Sequence, residues 1–191
     1  MHLVNLVVER WYTVASSDMA SLMNLGDSIL DAWKTNHHVT VFLVEHVPTK
    51  LWEAKVPGAP HRTTRMLCGH IHNARCMWIK TLGRGHGIAV PRPVDRYQVS
   101  PEDLIAALER SNLGVLSLLK LGCDHGGSIP CTPSYTWRNL PLDVGHVLGY
   151  LIAHEGHHRG QIVMLARQLG YRLPPEVTSG LWNWTKRARE V

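Results

Sequence analysis

The sequence predicts an all-α chain folded as a helical bundle, and three observations carry that reading. Four long stretches repeat apolar residues every three to four positions. Two lengthy connections rich in glycine and proline separate the later stretches. A strong helix start, Ser100-Pro101-Glu102-Asp103, puts an N-cap serine, a proline at the first position and two acids in the first turn. With 191 residues, 45% of them hydrophobic and 18% charged, one domain with a real core accounts for the chain.

The elements follow in order. Residues 1–23 read as an N-terminal extension outside the core fold, because Met19 and Met23 stand just before the first convincing helix; residues 24–191 form the single domain. The short apolar run Leu3 to Val8 is broken by Glu9 and Arg10, which predicts neither a signal peptide nor a membrane span. Ile29, Trp33, Val39 or Thr40, Leu43 and Val47 mark a first helix over Gly26–Val47. Pro48 ends it, one more helical turn fits around Leu51, and Pro57-Gly58-Ala59-Pro60 reads as a loop. A second helix spans Thr63–Leu82 with a stripe of Met66, Leu67, His70, Ala74 and Met77 or Trp78. Gly83–Val99 is a connection, and the third helix runs from Ser100 to about Leu121. Gly122–Arg138 is a loop, the fourth helix occupies Leu142–Gly170, and a short helix over Pro175–Arg189 closes the chain.

Charge and cysteine content exclude several classes of function. The net charge of +5 is dispersed, and its densest cluster, Lys186, Arg187 and Arg189, reads as a solvated terminus. Basic residues are not interleaved with aromatics on one face, so no nucleic-acid partner is expected. Cys68, Cys76, Cys123 and Cys131 form no CxxC pair, which predicts reduced thiols in a cytoplasmic protein, with Cys68 and Cys76 as core filling. Cys123, His125 and Cys131 match the spacing of no common structural zinc site.

The chemistry concentrates in His154-Glu155-Gly156-His157-His158. Histidines four apart on a helix differ by about 40° in direction, so His154 and His158 can reach one ion. The apolar stripe through Val144, Val147, Leu148, Leu151, Ile162, Leu165 and Leu169 carries them, so both are expected to point into the core. His70 faces inward from the second helix. Three neutral imidazoles on one divalent ion leave a coordination position open, the arrangement of a catalytic site. His72 and His157 lie well around their helices from this cluster and read as surface or supporting groups. Glu155 is either an acceptor for a ligand's second ring nitrogen or a surface charge, and Tyr150 either projects a hydroxyl toward the open position or packs.

The same run matches the zinc-protease signature His-Glu-x-x-His, in which Glu155 would be the general base. Against it, Gln161 and Met164 stand where a metzincin continues with Gly and His. Glu176, the nearest downstream glutamate, follows Pro174-Pro175, a poor place for a preorganised ligand.

The segments Gly69-His70-Ile71-His72-Asn73-Ala74-Arg75-Cys76-Met77-Trp78 and Tyr150 through Gln161, with Leu173-Pro174-Pro175-Glu176-Val177 and Gly180-Leu181-Trp182, resemble the DinB/YfiT-like metal-binding superfamily over about residues 26–189. The resemblance implies a four-helix bundle of up-down-down-up topology, commonly a homodimer. It also implies a divalent ion, zinc or nickel ahead of manganese or iron, on His70, His154 and His158. Characterised members include thiol-dependent S-transferases and a mycothiol-dependent isomerase. A low-molecular-weight thiol and an electrophilic small molecule are therefore the implied partners. Hydrolysis at the metal, or a non-catalytic ion tying two helices together, are the alternatives.

Overall fold

The computed structural model describes residues 25–130, 135 and 139–190. The expected extension over residues 1–23 lies outside them. Helix dominates, as predicted. Helix α1 covers 25–45 and stops ahead of Pro48; α2 (Thr49–Trp52) is the single turn expected around Leu51, whose side chain it buries fully. The next segment departs from expectation. Where the sequence reads as a loop, β1 (Lys55–Val56) and β2 (Ala59–Thr63) pair antiparallel across a turn at Gly58, which takes φ +75°. Three central residues of β2 are exposed, so the hairpin has no apolar alternation for a sequence reading to detect.

Three long helices follow. Helix α3 (Thr64–Leu82) starts where Thr63 Oγ1 accepts the amide of Met66; α4 (Pro101–Asp124) starts where Ser100 Oγ accepts that of Asp103 at 3.0 Å. Helix α5 (Val144–Gln168) is capped by Asp143, whose carboxylate accepts the His146 amide at 3.0 Å. It ends at Gly170, with φ +75° and the Tyr171 amide bonded back to Ala166. The closing element is two short helices, α6 (Pro175–Gly180) and α7 (Trp184–Arg187), separated by a turn before Asn183 caps the second. Arg187 is not part of a solvated tail. It is 4% exposed, its guanidinium lies 4.0 Å from the centre of the Phe42 ring, and it pairs with Glu190 at 2.8 Å.

The core divides into two apolar clusters with a polar layer between them. One gathers Leu43 and Val44 of α1, Cys68 and Ile71 of α3, Leu104 and Leu108 of α4, and Ile162 and Leu165 of α5. The other gathers Trp33, Trp78, Ile79, Val115, Leu118, Val144, Val147 and Leu151 from the same helices. Between them each helix contributes buried polar side chains: Asn36, His37 and Thr40 from α1, Arg75 from α3, Ser111 and Asn112 from α4, Glu155 and Arg159 from α5. At the α1 and α4 faces, Trp33 Nε1 donates to Asn112 Oδ1 at 3.0 Å, and Gly26 lies against Cys123.

The connection between α3 and α4 is tied to α3 by side chains. Asn73 pairs with Val94 at two points, Nδ2 donating to its carbonyl at 3.0 Å and Oδ1 accepting its amide at 2.9 Å. His72 adds a bond to the Arg92 carbonyl at 3.0 Å. No helix among the described residues is long and apolar enough to cross a membrane.

Gly122 is the tightest point of the packing between α4 and α5. A Cβ there would collide with Val144 Cγ1 and press on the Ile129 amide nitrogen 3.3 Å away. Gly122→Ala is therefore expected to lower stability by about 1–3 kcal/mol in urea denaturation, although alanine favours helix.

Candidate metal centre

Helices α3 and α5 bring His70, His154 and His158 together. Their ring centroids lie 5.3 Å (70 to 154), 4.7 Å (70 to 158) and 4.6 Å (154 to 158) apart. One nitrogen from each lies within 4.8 Å of the others, and the Nε2 atoms of His154 and His158 are 3.2 Å apart. Two imidazoles binding one ion at about 2.05 Å with tetrahedral angles place their nitrogens about 3.3 Å apart, so the α5 pair already has ligand geometry. Among the described residues no fourth histidine, cysteine or carboxylate joins the cluster.

Gln161 sets the orientation of one imidazole. Its Oε1 accepts from Nδ1 of His158 at 2.8 Å, which leaves the Nε2 lone pair of His158 facing His154, and its Nε2 donates to exposed His157 at 3.0 Å. Tyr150 stacks on His154, 6.2 Å between centroids and 13° between planes, and meets Trp78 edge-on at 5.2 Å, so it braces the ligand's ring. Burial first, then the nearby His158 and His154, then Arg96 and Arg62, push His70 down to about 4. Burial also lowers His154 and His158. The three rings are thus neutral at neutral pH, the form that binds metal.

The phase of α5 differs from the expectation. Its buried stripe runs Val144, Val147, Leu151, Glu155, Arg159, Ile162, Leu165, so Glu155 and not the histidine pair occupies the centre. His154 and His158 lie on one side of that stripe, half-buried at its edge, facing out of the core rather than into it. The reason is electrostatic: a buried partner on α3 draws the acid inward. Arg75 Nε and Nη2 donate to the two oxygens of Glu155 at 2.6 and 2.9 Å. Glu155 also accepts from Asn36 Nδ2 at 2.9 Å and Thr40 Oγ1 at 2.7 Å, and Arg159 donates to Thr40 at 2.6 Å. Burial would raise the Glu155 pKa, but Arg75, Arg159 and Thr40 outweigh it and hold the carboxyl below its usual range.

Glu155 is therefore neither a surface charge nor an acceptor for a histidine of the cluster, and it is unavailable as the base of a zinc protease. Glu176 is exposed on α6, as is His125 beyond α4, while Cys131 lies outside the described residues.

A model of the DinB family matches residues 19–188. The chain belongs to the DinB family. A search of curated proteins found no significant match. In this DinB family protein His72, read as a surface or supporting group, is not at the surface: it is fully buried between Ser111, 3.1 Å from its Nδ1, and the Arg92 carbonyl. The connection laid along α3 covers a face that would otherwise meet solvent. Cys68 and Cys76 are buried free thiols, as expected, and burial pushes them up to about 12 and about 11.

The sequence reading passes over Arg75 and leaves the role of Gln161 open. Arg75 had a usable signal: it falls four residues after Ile71 and three before Trp78 on the α3 stripe, facing an acid at the matching place on α5. Arg75→Met would leave the Glu155 charge buried without its main partner and is expected to cost about 3–5 kcal/mol, read by urea denaturation.

His37 gives the polar layer a pH dependence. Arg75 Nη1 donates to its Nδ1 at 3.1 Å, so Nε2 carries the proton and donates to Glu109 at 2.8 Å. Burial, with the charge of Arg75, pushes it down to about 4. Because this folded value lies below the unfolded one, the unfolded chain takes up the proton first as pH falls. Stability is full above about 6.5 and declines between about 6.5 and about 4, by on the order of 3 kcal/mol. Glu155, whose folded value is also depressed, adds a loss of the same sign at lower pH. Urea midpoints measured across pH 7 to 4 should fall in the native protein and fall less in His37→Gln.

Proposed function

We propose that this DinB family protein is a metal-dependent enzyme of the thiol S-transferase type, with a divalent ion, zinc or nickel ahead of manganese or iron, held by His70, His154 and His158. The observation that carries the proposal is the position of the three imidazoles. They converge at a half-buried edge of the bundle, with no fourth protein ligand among the described residues. A structural ion would be expected in a closed set of four ligands. When bound, the ion would supply Lewis acidity, lowering the pKa of a thiol or of water offered to it. The chain's own residues do the rest: Gln161 and Tyr150 orient two of the rings, and the Arg75 and Glu155 pair holds the helices that carry them. In the transfer, the thiol proton leaves to solvent and the sulfur forms a C–S bond to the electrophilic carbon. The leaving group departs with its electron pair.

We further propose the up-down-down-up arrangement for α1, α3, α4 and α5. It is supported by the order in which they cross the two apolar clusters: α1 and α5 run from the Trp33 cluster to the Leu43 cluster, α3 and α4 the other way. A homodimer and a cytoplasmic location belong to the same proposal. Trp182, 84% exposed, and Met164, 54% exposed, border a groove of about 490 Å3 that a second copy could cover, and the free thiols suit a reducing compartment.

Elemental analysis should find about one divalent ion per chain in the native protein, at least a tenfold loss of content in His154→Ala, and full content in His157→Ala. Assay of the loaded protein with thiols and electrophilic acceptors should then give thiol-dependent turnover. Full metal retention in His154→Ala would overturn the site; hydrolysis without thiol dependence would shift the reaction to the hydrolase alternative.

A further inference from the structure

The groove beside the histidine cluster carries positive charge to which no acid is paired among the described residues. Arg62, exposed on β2, lines a groove of about 450 Å3 together with Val56, Leu67, Met164, His157 and Gln161. Gln161 is the residue bonded to His158, so the groove adjoins the cluster through this side chain. Arg96 approaches the turn of helix before His70 from the connection after α3. Val94, two residues earlier, is clamped to Asn73, and the Arg96 side chain crosses the backbone of Gly69, where a Cβ would stand 3.1 Å from its Cγ. Gly69 immediately precedes His70, so Arg96 lies over the turn of helix that presents this ligand.

Four arginines of the fold are held internally: Arg75 and Arg159 by Glu155, Arg187 by Glu190, Arg65 by Glu53. Arg62 and Arg96 have no ion pair or hydrogen-bond partner among the described residues. Both are close enough to His70 for their charge to act on it. Glu155, the one acid acting on His154 and His158, is held by Arg75. A divalent ion added to this basin would deepen the imbalance, and field lines from a half-buried cationic site draw in anions. The apolar wall of Val56, Leu67 and Met164 suits the uncharged body of a small molecule.

We infer that Arg62 and Arg96 form an anion-recognition site beside the histidine cluster, and that the molecule received there carries a carboxylate or phosphate group on an apolar body. This rests on the reading of His70, His154 and His158 as a metal site. Guanidinium forks bind either group through paired charge-assisted hydrogen bonds.

The test uses hydroxamates, which bind a metal whether or not the protein transfers thiols. Zinc-loaded full-length protein is titrated calorimetrically with butanohydroxamic acid, neutral at its far end, and with succinic monohydroxamate, of the same length but ending in a carboxylate. The carboxylate probe should bind at least about tenfold more tightly, one charge-assisted contact's worth. In Arg62→Gln/Arg96→Gln the two probes should bind alike, with zinc content and affinity for the neutral probe unchanged. A third probe ending in a phosphonate separates the two anion sources; preference for either charged probe over the neutral one supports the site. Equal binding of charged and neutral probes by zinc-replete native protein, or a preference that survives in the double variant, would overturn this inference and leave the metal site standing. Native protein that holds none of zinc, nickel, manganese or iron would overturn both.

Discussion

The bidentate ion pair between Arg75 and Glu155 is the constraint on which the rest of the structure depends. Both side chains are 1% exposed, at the middle of helices whose ends are buried in separate apolar clusters. Charges so deeply buried are tolerated only with their hydrogen-bonding capacity filled, and here Asn36, Thr40 and Arg159 complete the set. The pair is a poor candidate for raw stability, since apolar residues of similar size would do as well. What it does uniquely is fix the relative height of α3 and α5.

That height sets the geometry of the cluster. His70 stands five residues before Arg75, and His154 and His158 stand one before and three after Glu155. Between α3 and α5, a slide of one turn, about 5.4 Å, would carry the α5 pair out of reach of His70. Apolar surfaces alone tolerate such slips, because leucine-like contacts are interchangeable. A forked guanidinium on a carboxylate has one register. The polar layer therefore places the three histidines through the helices that carry them, and its depressed Glu155 and His37 values keep it in a single protonation state near neutrality.

How much of this the sequence discloses depends on the kind of signal. The long helices were readable because their periodicity is strong and their caps, Ser100 and Asp143 among them, are built from residues with a local reason to be there. The three histidines were selected by their spacing, and the structure brings those same residues together. The phase of α5 was misread because periodicity counts only apolar residues. Glu155 and Arg159, buried by virtue of partners on other helices, are invisible to it. The hairpin after α2 and the burial of His72 were missed for a related reason: each depends on a contact with distant chain, not on a local pattern. Arg62 and Arg96 carry no sequence signal at all, since an unpaired arginine outside a periodic helix reads the same whether it faces a site or bulk water.

One small feature of the fold reaches further than its size suggests. The amide of Asn73 meets the peptide of Val94 in the paired manner of one strand against another. A loop held in this way has a register, as a strand does. Arg96 arrives over Gly69 because it is counted from that clamp. Lengthening or shortening the chain between Val94 and Arg96 would re-aim the guanidinium even with every residue near the histidines left intact. Insertions on the α3 side of Val94, by contrast, would leave the count unchanged. The side chain that calibrates this approach is itself neutral and on the helix rather than the loop.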